Sequence, residues 1–334
     1  MDKHAPCPTA EAELPQSLPI VDLSDLGTLA GDARIARALD DAFGRIGFAY
    51  FTGTPLSPTE QEAIFAASRD FHALPDEAKR AVSMNAYHRG YMAPNTSLIE
   101  TSSVARVTRP NFSESFMFMH EVPPEDPRFG QPLQGPNNWP AELPGFREAV
   151  LAYQAKMEVF CRRLLQPLAM ALGLPSDHFL PFFEKPTTFL RLLHYPPQAP
   201  DSPDDAFGSA PHTDYGLITV LLQDMSGGLE VRRADGTWLK APPIPGSYVV
   251  NVGDMLSRWT NGRWQSTPHR VKNLSGHDRY SCPYFFDMDM NAVVECLPGC
   301  ASPENPPRFP PVRYGDYLLE RLNRNYAYRK QAAM

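Results

Sequence analysis

The stretch Pro211-His212-Thr213-Asp214-Tyr215-Gly216 sets an imidazole and a carboxylate two residues apart. On a β-strand, residues i and i+2 share a face, so His212 and Asp214 can converge on one point. Two imidazoles and one carboxylate form the set that holds non-heme Fe(II) on three adjacent corners of an octahedron and leaves the rest open. The second imidazole has to come from elsewhere. The chain has nine histidines, at 4, 72, 88, 120, 178, 194, 212, 269 and 277, and composition alone does not choose among them. A lone His-x-Asp arises on many strands by chance.

Position narrows the choice. Downstream come Gly227-Gly228-Leu229, then Asn251-Val252-Gly253-Asp254, then His269-Arg270-Val271, and finally Arg279-Tyr280-Ser281. Fifty-four residues separate Asp214 from His269, and Arg279 lies ten beyond His269. An arginine fork matches a carboxylate with two parallel charge-assisted bonds, and Ser281, on the same strand face, can add a third donor. In this order and spacing, His212, Asp214, His269, Arg279 and Ser281 resemble the signature of the iron(II)/2-oxoglutarate-dependent oxygenases, in the soluble branch that includes isopenicillin N synthase. The resemblance selects His269 as the third ligand. It implies that His212, Asp214 and His269 hold catalytic Fe(II). It implies too that 2-oxoglutarate is the cosubstrate, with its distal carboxylate on Arg279 and Ser281, and that O₂ oxidises a small-molecule C–H bond with release of succinate and CO₂. Two alternatives stay open at this stage: an oxidase of the same fold that uses no 2-oxoglutarate, and a jelly roll that binds a metal or ligand without turnover.

Other candidates follow from the same resemblance and from strand alternation. In Arg191-Leu192-Leu193-His194-Tyr195-Pro196, Tyr195 stands where relatives carry a tyrosine near the cosubstrate, and Leu193 stands where many carry asparagine. Arg191 alternates inward with Leu193 and Tyr195. An inward arginine is costly unless paired, so it meets either an anionic or carbonyl-bearing substrate or a structural carboxylate. His194 points to the other face and is not expected to bind metal. Phe285 lies at the spacing where related enzymes stack an aromatic on the substrate, and Tyr215 directly follows Asp214. The loop from Tyr87 to Asn95 falls in the region that overhangs the active-site mouth in the family, which makes Tyr91 and Asn95 substrate-side candidates. For Phe285 and Tyr215 core packing is the competing reading, and for Asp254 a turn role is.

The elements that must position these residues are mostly β. From Thr188 onward, short runs rich in β-branched and aromatic residues recur between turn residues, at 188–195, 217–222, 228–232, 247–252, 269–273, 279–286 and 291–295, the pattern of a sandwich or barrel. The resemblance implies a double-stranded β-helix, a jelly roll with flanking helices and an N-terminal α/β extension. That extension reads as a strand at 18–23, a helix over 32–46, a strand at 47–51 and a helix opened by the capping box Ser57-Pro58-Thr59-Glu60. Residues 145–172 carry apolar positions at helical spacing, with Pro167 expected to kink them, and a last helix is expected from Tyr314 to Tyr326. The expected organisation is a disordered tail over 1–17, an N-terminal region over 18–145, bracing helices over 146–187, the jelly-roll core over 188–300 and a C-terminal helix and tail over 301–334.

Composition bounds the rest. There are 36 prolines in 334 residues, about twice the usual share, so loops are extensive. The net charge of −7 argues against a nucleic-acid partner, which would show a basic footprint. Five cysteines, an odd and sparse set, do not suggest a disulfide framework; Cys296 and Cys300 read as free thiols before half of a metal site. No apolar run reaches the ~20 residues of a membrane span. The expectation is a cytoplasmic monomer or weak homodimer.

Overall fold

The computed structural model describes residues 14–334 apart from 100, 101, 103, 105, 106, 200, 327 and 330–334. Most of the tail expected over 1–17 lies outside the described residues.

The chain opens with β1 (Ile20–Asp22), α1 (Leu29–Arg45), β2 (Phe48–Thr52), α2 (Pro58–His72) and α3 (Asp76–Ala81). Thr28 caps α1, its hydroxyl accepting from the Gly31 amide. The capping box forms as the sequence suggests. Ser57 accepts from the Glu60 amide, and the Glu60 carboxylate accepts in return from the Ser57 amide. Next come β3 (Gly90–Met92), β4 (Glu114–Met119) and the long α4 (Phe146–Ala171), which continues past Pro167.

The core strands are β5 (Thr187–Tyr195), β6 (Ser209–His212), β7 (Ile218–Gln223), β8 (Leu229–Arg232), β9 (Trp238–Lys240) and β10 (Tyr248–Val252). After the short α5 (Asp254–Trp259) come β11 (His269–Val271) and β12 (Arg279–Asp287). The chain ends with β13 (Val293–Val294), β14 (Val312–Arg313) and α6 (Tyr314–Asn325). Asp254, expected in a turn, is the first residue of α5.

Two sheets face each other. The larger runs β1-β2-β10-β7-β12-β5-β4-β3 and the smaller β6-β11-β8-β9. This is the jelly roll with helices outside it. Strand alternation divides the large sheet's side chains. Phe48, Tyr50, Leu193, Tyr195 and Val249 pack toward the small sheet's Leu229, Val231 and Val271. Ala49, Phe51, Leu190, Leu192 and Val250 face the other way, in one cluster with Leu39, Phe43, Phe160 and Leu164 of the helices. A fully buried side chain of this kind contributes roughly 1.5–3 kcal/mol, so the helices are a structural wall behind the site. The N-terminal strands complete both edges of the large sheet, β1 and β2 on one side and β4 and β3 on the other. Among the described residues no helix is long and apolar enough to cross a membrane, and Cys296 and Cys300 are free thiols.

Candidate active site

His212 ends β6 and His269 begins β11, and the two are direct partners across the antiparallel ladder. Their ring centres stand 4.3 Å apart. Each ring uses Nδ1 on a backbone carbonyl, His212 on Ala210 at 2.8 Å and His269 on Thr267 at 3.2 Å. That bond fixes the tautomer and leaves the Nε2 lone pair free. Asp214, two residues past the strand end, brings Oδ1 to 3.7 Å from His212 Nε2 and Oδ2 to 3.8 Å from His269 Nε2. These separations are too long for hydrogen bonds. The ligand atoms of the three side chains all lie within 4.8 Å of one another. Two imidazole nitrogens and a carboxylate so arranged are a donor set that fits Fe(II).

The surroundings keep this set in its ligating state. Burial opposes charge on Asp214, but the two imidazoles outweigh it, helped by bonds to Oδ2 from the Thr219 hydroxyl at 2.6 Å and the Asn251 amide at 2.8 Å. Its carboxyl is therefore held below the ordinary range. Burial, and then the facing His269, push His212 down to about 4, which keeps it neutral.

The loop carrying Asp214 is gripped from two further sides. The Asp254 amide donates to the Asp214 carbonyl at 2.7 Å. The Asp254 carboxylate accepts from Ser266, just before His269, at 2.6 Å and from Tyr317 of α6 at 2.7 Å. On the other side, Asp287 accepts from the Leu217 amide at 2.7 Å and the Tyr314 hydroxyl at 2.6 Å. Gly216 lies so close that a Cβ there would stand 1.6 Å from Asp287 Oδ1.

Two chambers meet at the triad. The first, about 620 Å³, reaches from His212, Asp214 and His269 to Arg279 and Ser281. Arg279 has no exposed surface. Its Nε donates to the Gly227 carbonyl, Nη1 to Ser281 Oγ at 3.3 Å and Nη2 to Gln223 Oε1 at 3.4 Å, with Tyr195 4.6 Å below the guanidinium. Among the described residues no carboxylate pairs with it. A buried cation without an anion is expensive, so the chamber is built for a ligand that brings one. The Gly227-Gly228 pair allows the close passage, since a Cβ on Gly228 would stand 2.5 Å from the Lys272 carbonyl.

The second chamber, about 770 Å³, lies across the triad and is walled by Ile99, Phe189, Tyr215, Leu318, Leu322 and Tyr326 among others. Arg191 and Phe285 line both chambers. Arg191 Nε donates to Ser115 Oγ at 2.9 Å, and no carboxylate among the described residues pairs with it. Tyr215 walls the second chamber, its hydroxyl accepting from the Asn325 amide.

Tyr91 and Asn95 lie elsewhere. Tyr91 is buried on the helix side, against Phe71, and its hydroxyl donates to Glu114 at 2.5 Å. Asn95 sits exposed in a turn at φ 60°. The chain reaches the chamber only further on, at Ser97, Leu98 and Ile99. His194 is fully engaged by Glu114 and Asp278. The sequence places a last helix over 314–326 but gives no sign that α6 walls the site. Its Leu318 and Leu322 stand at ordinary helix-face spacing, and nothing local marks them as pocket wall.

Residues 18–142 match the N-terminal family described as non-haem dioxygenase in morphine synthesis, and residues 186–288 match the 2OG-Fe(II) oxygenase superfamily. The chain is 34% identical to the 2-oxoglutarate-Fe(II) type oxidoreductase hxnY of Emericella nidulans, over 96% of this chain and 94% of that protein. In structure it is similar to a full-length Neurospora crassa protein crystallised in complex with alpha-KG and thymine, with TM-score 0.82, 29% identity and coverage of 92% and 96% of the two chains. It is also similar to a rice dioxygenase for auxin oxidation, with TM-score 0.73, 30% identity and coverage of 92% and 96%.

Proposed function

The chain belongs to the 2-oxoglutarate–Fe(II) oxygenase superfamily and is a 2-oxoglutarate-dependent oxygenase that uses Fe(II) and O₂; from that premise we propose how its residues divide the work. His212, Asp214 and His269 hold the iron. Arg279, with Ser281, takes the distal carboxylate of 2-oxoglutarate in the first chamber, over the ring of Tyr195. The second chamber takes the primary substrate, a small molecule with a carbonyl or carboxylate oxygen for Arg191 and a flat or apolar body against Phe285, Phe189 and Tyr215. The product is the substrate hydroxylated at a C–H bond.

The observation that carries this reading is the buried Arg279, without a carboxylate partner among the described residues, at the far end of a chamber that begins at the triad. It suits a ligand anionic at both ends, one end on the metal and the other on the guanidinium fork. When bound, the iron supplies the coupling of 2-oxoglutarate decarboxylation, to succinate and CO₂, with oxidation of the substrate. The protein's part is orientation. Thr219 and Asn251 aim the Asp214 carboxylate, the two backbone carbonyls aim the imidazoles, and Arg191 and Phe285 stand where the chambers join. Thymine and auxin, the small molecules named for the two structural relatives, are flat and bear oxygen acceptors, as Arg191 and the aromatic wall would suit.

The test is anaerobic reconstitution with Fe(II) and 2-oxoglutarate, followed by a metabolite screen under O₂ for succinate release that rises with added substrate. A metal-to-ligand charge-transfer absorption on adding 2-oxoglutarate is expected. Substrate oxidation without succinate would instead favour an oxidase of the same fold.

A further inference from the structure

A buried polar atom of the second chamber's wall has no hydrogen-bond partner among the described residues. His88 is 1% exposed and forms part of the chamber wall, and its Nε2 has no hydrogen-bond partner among the described residues. Buried polar groups are almost always bonded, and one left over at a ligand cavity points to the ligand. The backbone of His88 is left-handed, at φ 66°, a conformation uncommon for a side chain other than glycine. The turn is held there from several sides. Asn85 Oδ1 accepts from the Tyr87 and Arg89 amides at 2.9 and 3.2 Å. The wholly buried Arg89 guanidinium donates to the carbonyls of Tyr87, Leu133 and His120. Strained residues kept in place by such over-determination cluster at ligand sites.

The ring's orientation follows from its neighbours. Tyr326 stands edge-on at 4.8 Å and Phe189 at 6.3 Å, and both also wall the chamber. The Nδ1 edge is taken by the Tyr328 hydroxyl, with the two rings within 16° of coplanar, and Tyr328 is not part of the chamber wall. The ring's remaining polar edge carries Nε2. Burial, then Arg329, Arg191 and Arg89, holds the imidazole neutral. A phenol is a stronger acid than a neutral imidazole N–H, so Tyr328 donates to Nδ1 and the single ring proton lies on Nε2.

We propose that the His88 Nε2–H is a specificity-determining donor to an oxygen or ring-nitrogen acceptor of the primary substrate, and that with Arg191 it selects acceptor-bearing, non-cationic molecules. The inference rests on the second chamber being the substrate site. The chamber offers little to an ammonium group. Among the described residues its carboxylates are Asp214, a proposed metal ligand, and Asp287, whose two oxygens already accept from Leu217 and Tyr314.

The first test needs no substrate. The full chain, labelled with ¹⁵N-histidine and loaded with Zn(II) and 2-oxoglutarate to avoid paramagnetic broadening, should give His88 the nitrogen shifts of a neutral Nε2–H tautomer at pH 7. The resonance is assigned by its loss in His88→Gln. Tyr328→Phe, which leaves His88 in place, should shift it to a tautomer mixture. An imidazolium or an Nδ1–H tautomer in the wild type overturns the proposal. The second test uses a substrate identified by the succinate screen and its analogue lacking the accepting atom. His88→Leu should raise KM for the parent on the order of tenfold and change kcat far less. His88→Gln, whose amide nitrogen can stand near the Nε2 position, should recover part of the loss. The analogue should lose affinity for the wild type and nothing more for His88→Leu. If His88→Leu weakens parent and analogue equally, Nε2–H serves only a water or the fold, and the proposal fails. A cationic amine as the preferred substrate also overturns it. Absence of the 2-oxoglutarate charge-transfer band in the wild type would strike the oxygenase reading and leave the tautomer result standing.

Discussion

Asp214 keeps its charge in a buried site because two imidazoles and two neutral donors surround it, and that dependence makes the triad testable one residue at a time. His269→Ala removes one of three ligands. It should abolish the charge-transfer absorption that accompanies 2-oxoglutarate binding to Fe(II), and an unchanged band would remove His269 from the site. His277→Ala, a turn residue whose carbonyl is held by Asn273, should leave iron stoichiometry as in the wild type. Arg279 is the second lever. Bonds to charged groups contribute roughly 1.5–3 kcal/mol each, so Arg279→Ala should weaken 2-oxoglutarate binding tenfold or more, read from a charge-transfer titration. Arg279→Lys should recover only part, because an ammonium cannot make the fork, and Ser281→Ala should cost less than Arg279→Ala. Wild-type 2-oxoglutarate affinity in Arg279→Ala, with turnover lost, would assign Arg279 to the primary substrate. These residues were legible because each sits at a fixed interval from the next along strands whose alternation sets direction. Tyr91 misled because it was read as part of a loop over the active-site mouth. It lies instead on a short edge strand, where its partner Phe116 faces the helices, and the sequence does not say which face of an edge strand is inward.

At the scale of elements, strong periodicity and capping were readable, and short edge strands were not. The helices over 29–45, 58–72, 146–171 and 314–325 follow their apolar spacing, and the second opens on its capping box. The strand that delivers His212, Ser209–His212, was not separable from loop. It is four residues long, contains Pro211, and sits at the edge of the small sheet, where a proline removes no ladder bond. Trp238–Lys240, at the opposite edge, escaped for similar reasons. The helix Asp254–Trp259 was hidden because its Asn-x-Gly-Asp opening reads as a turn. Its first residue joins the Asp214 loop, the approach to His269 and the C-terminal helix, with Arg321 adding an ion pair at 3.4 Å. Asp254→Asn exchanges one accepting oxygen for a donor facing Tyr317, Arg321 or Ser266. The expected loss is about 1–3 kcal/mol, seen as a lower urea midpoint, and Tyr317→Phe should lose less. A wild-type midpoint in Asp254→Asn would mean that this carboxylate does not anchor the C-terminal helix.

Across the whole molecule, the parts that close the substrate chamber come from opposite ends of the chain, His88 and Ile99 from one side and Leu318, Leu322 and Tyr326 from the other. Contacts of such separation leave no periodic trace, which is why Arg191, Tyr215 and Phe285, carried on or beside the core strands, could be named from the sequence and the wall supplied by the two ends of the chain could not. The same long-range packing sets a pH response. Burial first pushes His72 and His120 down to about 4 each. Folding keeps them neutral while the unfolded chain binds protons near pH 6.5, so stability falls as pH drops from about 6.5 toward 4, by up to about 3 kcal/mol for each. His194 acts in the opposite sense. Burial opposes its charge, but Glu114 at 2.8 Å and Asp278 at 3.0 Å outweigh that and raise its pKa, because holding both carboxylates requires both N–H groups. Its contribution is fully present below the unfolded value of about 6.5 and is lost as pH rises through the higher folded value. Urea midpoints of the metal-free chain between pH 5 and 9 should therefore peak near neutrality, with a steep acid limb and a shallow alkaline one. His194→Gln should flatten the alkaline limb and leave the acid limb in place. An alkaline limb that persists in His194→Gln would show that the Glu114–His194–Asp278 bridge does not set it.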